Sequence, residues 1–436
     1  MNGAVYYGKY TRKILEKFPS TGESFDETFV WAYFMVKKAC ALLNVELGYL
    51  DERVGNAIVR ACDEWEELKR HVVVDPLCGR ADVFLNVNVN EVIASRASEF
   101  LGGKREELLV DPFRHVNLHQ TANDVFPTAA KVAVISKLRR LVEAVINLQE
   151  KIQEKEKEFY GVRKPARLDL MDGPPIMLGQ EFGAYAEALT RDRWRLHKVE
   201  EKIRGVNIGG TFVGTGLGAP KEYVLRIAER VRDVTGVKIS KAENLVDATQ
   251  NWDVFVEVHG LLKSLAVNLY KISNDLRLLG SGPNTAIGEL VLPAVIEDID
   301  PERTNPAVLD YVQQLSHLVL GYDAVISHAC ALGNLESNHL APIVVHLTLK
   351  SLTLLLNSCK ALSSYISLVT VNRQRCEELL QKSGLNLVPL IKVFGHDSVS
   401  RALNEVGWDL AKVIKFLSGV HGIPEEEIDE KMKRSE

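Results

Sequence analysis

Three groups of residues in this chain have types and spacings that could do chemistry. The segment GGTFVGTGLGAP (209–220) holds Gly214, Gly216 and Gly218, whose missing Cβ atoms would let backbone N–H groups approach a phosphate. A dinucleotide fingerprint needs a strand before it and a helix opening inside it, whereas the charged helical stretch RWRLHKVEEKIRG precedes this one. A tight turn between helices is therefore the better account. Asn123 and Asp124 stand at the head of a long apolar-periodic run, where they either cap a helix or face a ligand from its first turn. Asn305 before Pro306 either starts a turn or presents its amide to a site. The six cysteines (Cys40, Cys62, Cys78, Cys330, Cys359, Cys376) form no CxxC pair and no zinc-type Cys/His spacing. Neither metal nor cofactor is expected, and a reduced, cytoplasmic compartment is.

Such groups must be positioned by something, and the chain is built from long amphipathic helices. Between 125 and 159 apolar residues recur at Val132, Ile135, Leu138, Val142, Val145, Leu148 and Ile152, steps of three and four that make one stripe. The stretch 252–279 repeats the pattern through Val258, Leu262, Leu265, Leu269, Ile272 and Leu276. A third run, 339–371, is apolar on more than one face and needs partners around it. Each would span about 45 Å at about 1.5 Å per residue, which predicts an extended bundle completed by other subunits. The predicted fold is all-α. Short strand signals occur at VVVDP (72–76) and VKIS (237–240), QEKIQEKEKEF (149–159) reads as the solvated face of a helix end, and no internal repeat is seen. Pro and Gly gather at 161–179, 205–220 and 280–306, where loops and chemistry are expected.

Composition narrows the partners. The 436 residues are 46% hydrophobic and 25% charged with a formal net charge of −5, and Lys and Arg are spread along the chain, so no nucleic acid partner is expected. The N-terminus lacks an apolar signal core and no run of about 18 apolar residues occurs, which predicts neither secretion nor a membrane span.

The motifs add a resemblance. HVNLHQTANDVFPTAA (115–130), LGQEFGAYAEAL (178–189), GGTFVGTGL and KISNDLRLLGSGPNTAIGELVLP (271–293) resemble, in wording and order, the class II fumarase/aspartase superfamily. YYGKYTRKILEKFP and FLNVNVNEVIASRA upstream, and NLESNHLAPIVVHLTLKSL and VNRQRCEELL downstream, extend it over nearly the whole chain. The resemblance implies a three-domain, mostly helical protomer, divided here at 1–120, 121–371 and 372–436, whose long helices form the core of a homotetramer with sites shared among three subunits. It also implies anti elimination of ammonia, water or an amine from a succinyl group. That chemistry needs a base for a C–H beside a carboxylate, donors for the resulting dianion, and an acid for the leaving group.

Residue by residue, the family's site is altered. Where the family has a loop serine base and lysine in GSSxMPxKxN, this chain has VIEDIDPERTNP (295–306), keeping Pro301, Asn305 and Pro306, with Arg303 in the lysine's place and Glu297 or Asp298 near the serines. The family's Thr-His pair corresponds to Leu168 and Asp169 in ARLDLMDGPP, and the acidic partner of that histidine to Asp310. RADVFLN (80–86) offers Ala81 and Val83 where carboxylate-binding hydroxyls are expected, and QTAND keeps Thr121 and Asn123 but has Ala122 for a serine. Candidate catalytic residues are thus Asp169, Asp298 and His119, the last with a capping or surface role as its alternative. Candidate substrate-binding residues are Arg80, Thr121, Asn123, Arg303, Asn305 and Asp310. The fold implied by the resemblance gathers Arg80, Asp169 and Arg303 in one pocket, remodelled or filled by ion pairs. Losing a general acid/base costs about 10²–10⁴ in rate and losing a positioned donor about 10²–10³. The expectation is therefore a non-catalytic homologue, either a structural or regulatory subunit or a pseudo-subunit beside an active paralogue. The alternative is a lyase of altered specificity for a small carboxylate, using Asp169 or Asp298 with Arg303.

Overall fold

The structure, a computed structural model, describes residues 5–104, 108–282, 284–296 and 301–435. Seven helices carry the argument: α1 (Glu27–Glu46), α2 (Ala81–Phe100), α3 (Ala122–Glu158), α4 (Leu178–Ile203), α5 (Asp253–Leu279), α6 (Ala307–Ala331) and α7 (Ala341–Leu368). The fold is all-α, as the periodicity predicts. The stripe on α3 is the buried one, with Val132, Ile135, Val145, Leu148 and Ile152 wholly excluded from solvent. On α5 the same holds for Val258, Leu262, Leu265 and Leu269.

Helix α7 is apolar on several faces because it is enclosed. Its best 18-residue window has a mean hydropathy of 1.3, enough by length and composition to cross a membrane, yet 72% of that window is buried within the protein. Its buried hydroxyls need no water: Thr348 Oγ1 donates to the Val344 carbonyl at 2.7 Å and Ser358 Oγ to the Leu354 carbonyl at 2.9 Å. Ser351 Oγ meets His259 Nε2 of α5 at 2.9 Å.

The chain separates into two compact units. The first comprises Met1–Val145, Arg191–Val267 and Gln314–Ser358. The second comprises Ile146–Thr190, Asn268–Gln313 and Cys359–Glu436. Within the second, the C-terminal helices have a core of their own around Leu387, Leu390, Val399, Val413, Leu417 and Ile428.

Strands depart from the sequence expectation in both directions. VVVDP forms none, since the Val73 N–H is taken at 2.8 Å by the Asn88 side chain instead of a neighbouring strand. Of VKIS only Ser240 is paired, with Gly205 in a two-residue parallel bridge. The segment 161–179, expected as loop, instead folds as a hairpin of β1 (Arg163–Leu168) and β2 (Met171–Met177), antiparallel with Leu168 opposite Met171. Both strands of a two-stranded ribbon are edges, so Pro165 and Pro175 are tolerated opposite one another.

Candidate functional site

The start of α3 is built from its own sequence. Thr121 Oγ1 accepts from the Asn123 N–H at 3.2 Å and Asp124 Oδ1 accepts from the Thr121 N–H at 3.0 Å, a reciprocal capping box. The cap is therefore Thr121, with Asp124 as its partner. Thr121 Oγ1 also donates to the Thr211 carbonyl at 2.8 Å, and Asn123 Nδ2 to the Phe212 carbonyl at 2.7 Å. Asp124 Oδ2 receives the N–H groups of Gly209 (3.2 Å) and Thr211 (2.9 Å). Pro127 inside the helix cannot donate to the Asn123 carbonyl four residues back, and Asn207 Nδ2 supplies that bond at 2.9 Å. Two segments some 85 residues apart thus form one unit, the glycine-rich one serving as a tight turn. A Cβ on Gly214 (φ +85°) would lie 2.4 Å from the Leu245 backbone.

Asp124 is fully buried at the centre of this knot. Burial pushes its carboxyl up to about 6, opposed by the N–H groups of Thr121, Thr211 and Gly209. The neighbouring His119 sits at φ +61°. Its Nδ1 donates to Asn44 Oδ1 at 2.7 Å and its ring packs against Tyr49 and Tyr223. Burial lowers its pKa below the ordinary histidine value. Arg80, exposed and in the left-handed region, precedes α2 with its Nε 3.5 Å from Asp82.

In the second unit the hairpin tip is a two-residue turn in which Asp169 (φ +50°) and Leu170 (φ +66°) both adopt positive φ, as a type I′ turn requires. Asp169 is exposed there, on the wall of a cavity of about 390 Å³ shared with Arg167, Gln180, Tyr185, Lys271 and Asp275. Beneath the hairpin lies an ion network: Lys164 Nζ is 2.7 Å from Glu181 and 2.9 Å from Glu289, and Arg167 is 2.9 Å from Glu289. Lys164 and Glu289 have no exposed side-chain surface. Burial pushes Glu289 up while Lys164 and Arg167 pull it down.

Lys164, Arg167, Glu181 and Glu289 thus form an ion network within the second unit that the sequence reading did not name. The signal available in sequence was a lone acid in the apolar run GELVLP. Asn305 donates Nδ2 to the Leu292 carbonyl at 3.3 Å, its own carbonyl accepts from the Tyr365 hydroxyl, and among the described residues its buried Oδ1 has no hydrogen-bond partner. Asp310 pairs with Arg277 at 3.1 Å, and Arg303 is exposed on a short helix. Glu297 and Asp298 lie outside the described residues. Arg80, His119, Thr121 and Asn123 belong to the first unit, and Asp169, Arg303, Asn305 and Asp310 to the second.

Comparison with known proteins sets this geometry in context. A lyase family profile matches residues 3–321. The aspartate ammonia-lyase of Bacillus subtilis is 37% identical over 407 residues, 92% of this chain and 86% of that protein. That of Escherichia coli K12 is 36% identical over 94% of this chain and 88% of its own length. Among solved structures, the cobalt-bound fumarate lyase:delta crystallin from Brucella melitensis superposes with a TM-score of 0.92 at 33% identity, covering 100% of this chain and 96% of that one. The class II fumarase of Schistosoma mansoni gives 0.90 at 26%, with the same coverage. Ammonia-lyase relatives across nine-tenths of the chain overturn the expectation of a non-catalytic homologue, and the pseudo-subunit role falls with it. Residue type at single motif positions was too narrow a criterion, because proton transfer and charge stabilisation are set by the geometry of whatever groups line a site.

Proposed function

Because the chain belongs to the aspartase/fumarase superfamily of lyases, we propose that it catalyses the elimination of ammonia, or of an amine or water, from a small carboxylate substrate. The observation that carries this reading is the α3 start, where Thr121, Asn123 and Asp124 fix two motif segments together by direct hydrogen bonds. Although the capping box takes the Thr121 and Asn123 N–H groups, the dipole of a long helix still favours an anion at its N-terminus, which suits a substrate carboxylate and the charge that grows on it. In the reaction, a base takes a proton from the carbon beside one carboxylate. The C–H electron pair becomes the double bond, and the C–N bond breaks with its pair leaving on nitrogen as ammonia. Asp169 on its exposed turn, or Asp298, is our candidate for the base, and Arg303 with Asn305 for the second carboxylate. In this reading the site is completed by other copies of the chain in a homotetramer.

The test is the appearance of fumarate, by ultraviolet absorbance, from L-aspartate with the purified protein. Thr121→Ala and Asn123→Ala, which cut the bonds holding residues 211 and 212 to the α3 start, should each lower kcat/KM by about 10²-fold, the usual cost of a misplaced site. Absence of fumarate from aspartate, together with no consumption of fumarate in ammonia, amines or water, would overturn the proposal.

A further inference from the structure

Beside the first turn of α3 is a pocket of about 20 Å³, room for one water-sized group. Asp82 and Glu336 line it, with no Lys, Arg or His. Asp82 is only 6% exposed, and among the described residues its buried Oδ1 accepts no hydrogen bond. That Oδ1 is ion-paired at 3.5 Å to Arg80 Nε, on a side chain half exposed to water. Buried Trp252 and Phe126 add aromatic wall. A buried carboxylate oxygen without a donor is costly, and a small cation bearing N–H groups would meet that need. Asn123 and Ala122, from the helix start that favours an anion, form the pocket's other side.

An acidic, ammonium-sized pocket abutting an anion-favouring helix end has the two poles of a zwitterion. We infer that Asp82, with Glu336 at the rim, holds the α-ammonium group of an amino-acid substrate whose carboxylate lies at the α3 start. This rests on the lyase reading above and narrows it. A hydroxy acid brings no positive charge to offset Asp82, so the pocket selects elimination of ammonia over elimination of water. Held as an ammonium, the nitrogen leaves with the C–N pair as neutral ammonia, needing no further proton.

The experiment compares the wild-type full chain with Asp82→Asn, which preserves shape, using L-aspartate and succinate, the same dicarboxylate without nitrogen. Charged hydrogen bonds are strong enough that the KM for aspartate should rise about ten- to a hundredfold, with kcat changed less. Calorimetric binding of aspartate should weaken alike, while succinate binds Asp82→Asn as well as or better than wild type. Glu336→Gln, on the exposed rim, should move aspartate in the same direction by a smaller factor. Equal weakening of both ligands, or no change in either, would overturn the assignment. Magnesium chloride alone raising the melting temperature of wild type but not of Asp82→Asn would give the pocket to a metal ion instead, and also overturns it. Should wild type eliminate nothing, the lyase reading fails, but the calorimetric arm still decides whether Asp82 recognises ammonium.

Discussion

Lys37 is a single side chain with a measurable consequence. It is wholly buried on α1, and its Nζ donates to Asn117 Oδ1 at 2.9 Å. The same oxygen also accepts from Asn86 at 3.0 Å and Asn90 at 3.2 Å. Burial pushes the ammonium down to about 8, with Cys40 and Asp124 opposing. A depressed lysine binds its proton less tightly folded than unfolded, so its charge costs stability below pH 8, and that cost is relieved as pH rises from about 8 towards the ordinary lysine value. At pH 7 the cost is on the order of 3 kcal/mol. Lys37→Met, similar in length and without charge, should therefore raise the melting temperature by a few degrees at pH 7. Scanning calorimetry at pH 9.5 should show that gain shrinking, because wild-type Lys37 is then largely neutral. A gain that stays constant with pH would mean packing and not desolvation is responsible.

At the scale of elements, the β1–β2 turn stores strain that a substitution can release. Leu170 adopts φ +66° while 64% exposed, so its side chain buries little in return for a conformation that costs an L-residue about 1–2 kcal/mol. Leu170→Gly would give the Asp-Gly pair that type I′ turns favour, and should slow hydrogen exchange of the hairpin amides by up to about tenfold. Unchanged or faster exchange would mean that Leu170 contributes packing across the neighbouring cavity. The same turn explains why the hairpin was not legible. Asp-Leu carries no turn signal, Pro165, Pro174 and Pro175 argue against strands, and only the pairing partner makes the segment extended. The long helices were legible because each writes its own period: α3 and α5 begin within three residues of where their stripes predict. At the site, the helix start is local and so readable, but the sequence puts the cap on Asn123 and Asp124, whereas Thr121 is the cap with Asp124 as its partner. The bonds from Thr121, Asn123 and Asp124 to residues 209–212 are not readable, since nothing in either segment names its distant partner.

The whole molecule poses the question of how many copies make one site. On α6, Tyr311, Leu318 and Val325 stand seven residues apart and are 41%, 46% and 41% exposed, a heptad-spaced apolar stripe left in water. In the homotetramer we propose, a second chain would cover this stripe. If copies assemble through such helices and share sites, as proposed, a chain defective at Thr121 and a chain defective at Asp169 carry their lesions in different parts of each composite site. Thr121→Ala and Asp169→Asn homomers should each be nearly inactive. After the two are mixed, dissociated and reassembled, some sites receive both intact residues, and activity should reappear while sedimentation shows a four-chain species. A chain carrying both substitutions, mixed with wild type, should only dilute it. Failure of the two single variants to rescue one another, in a mixture shown by mass to contain hybrids, would place Thr121 and Asp169 in the same protomer's site or remove one of them from the chemistry.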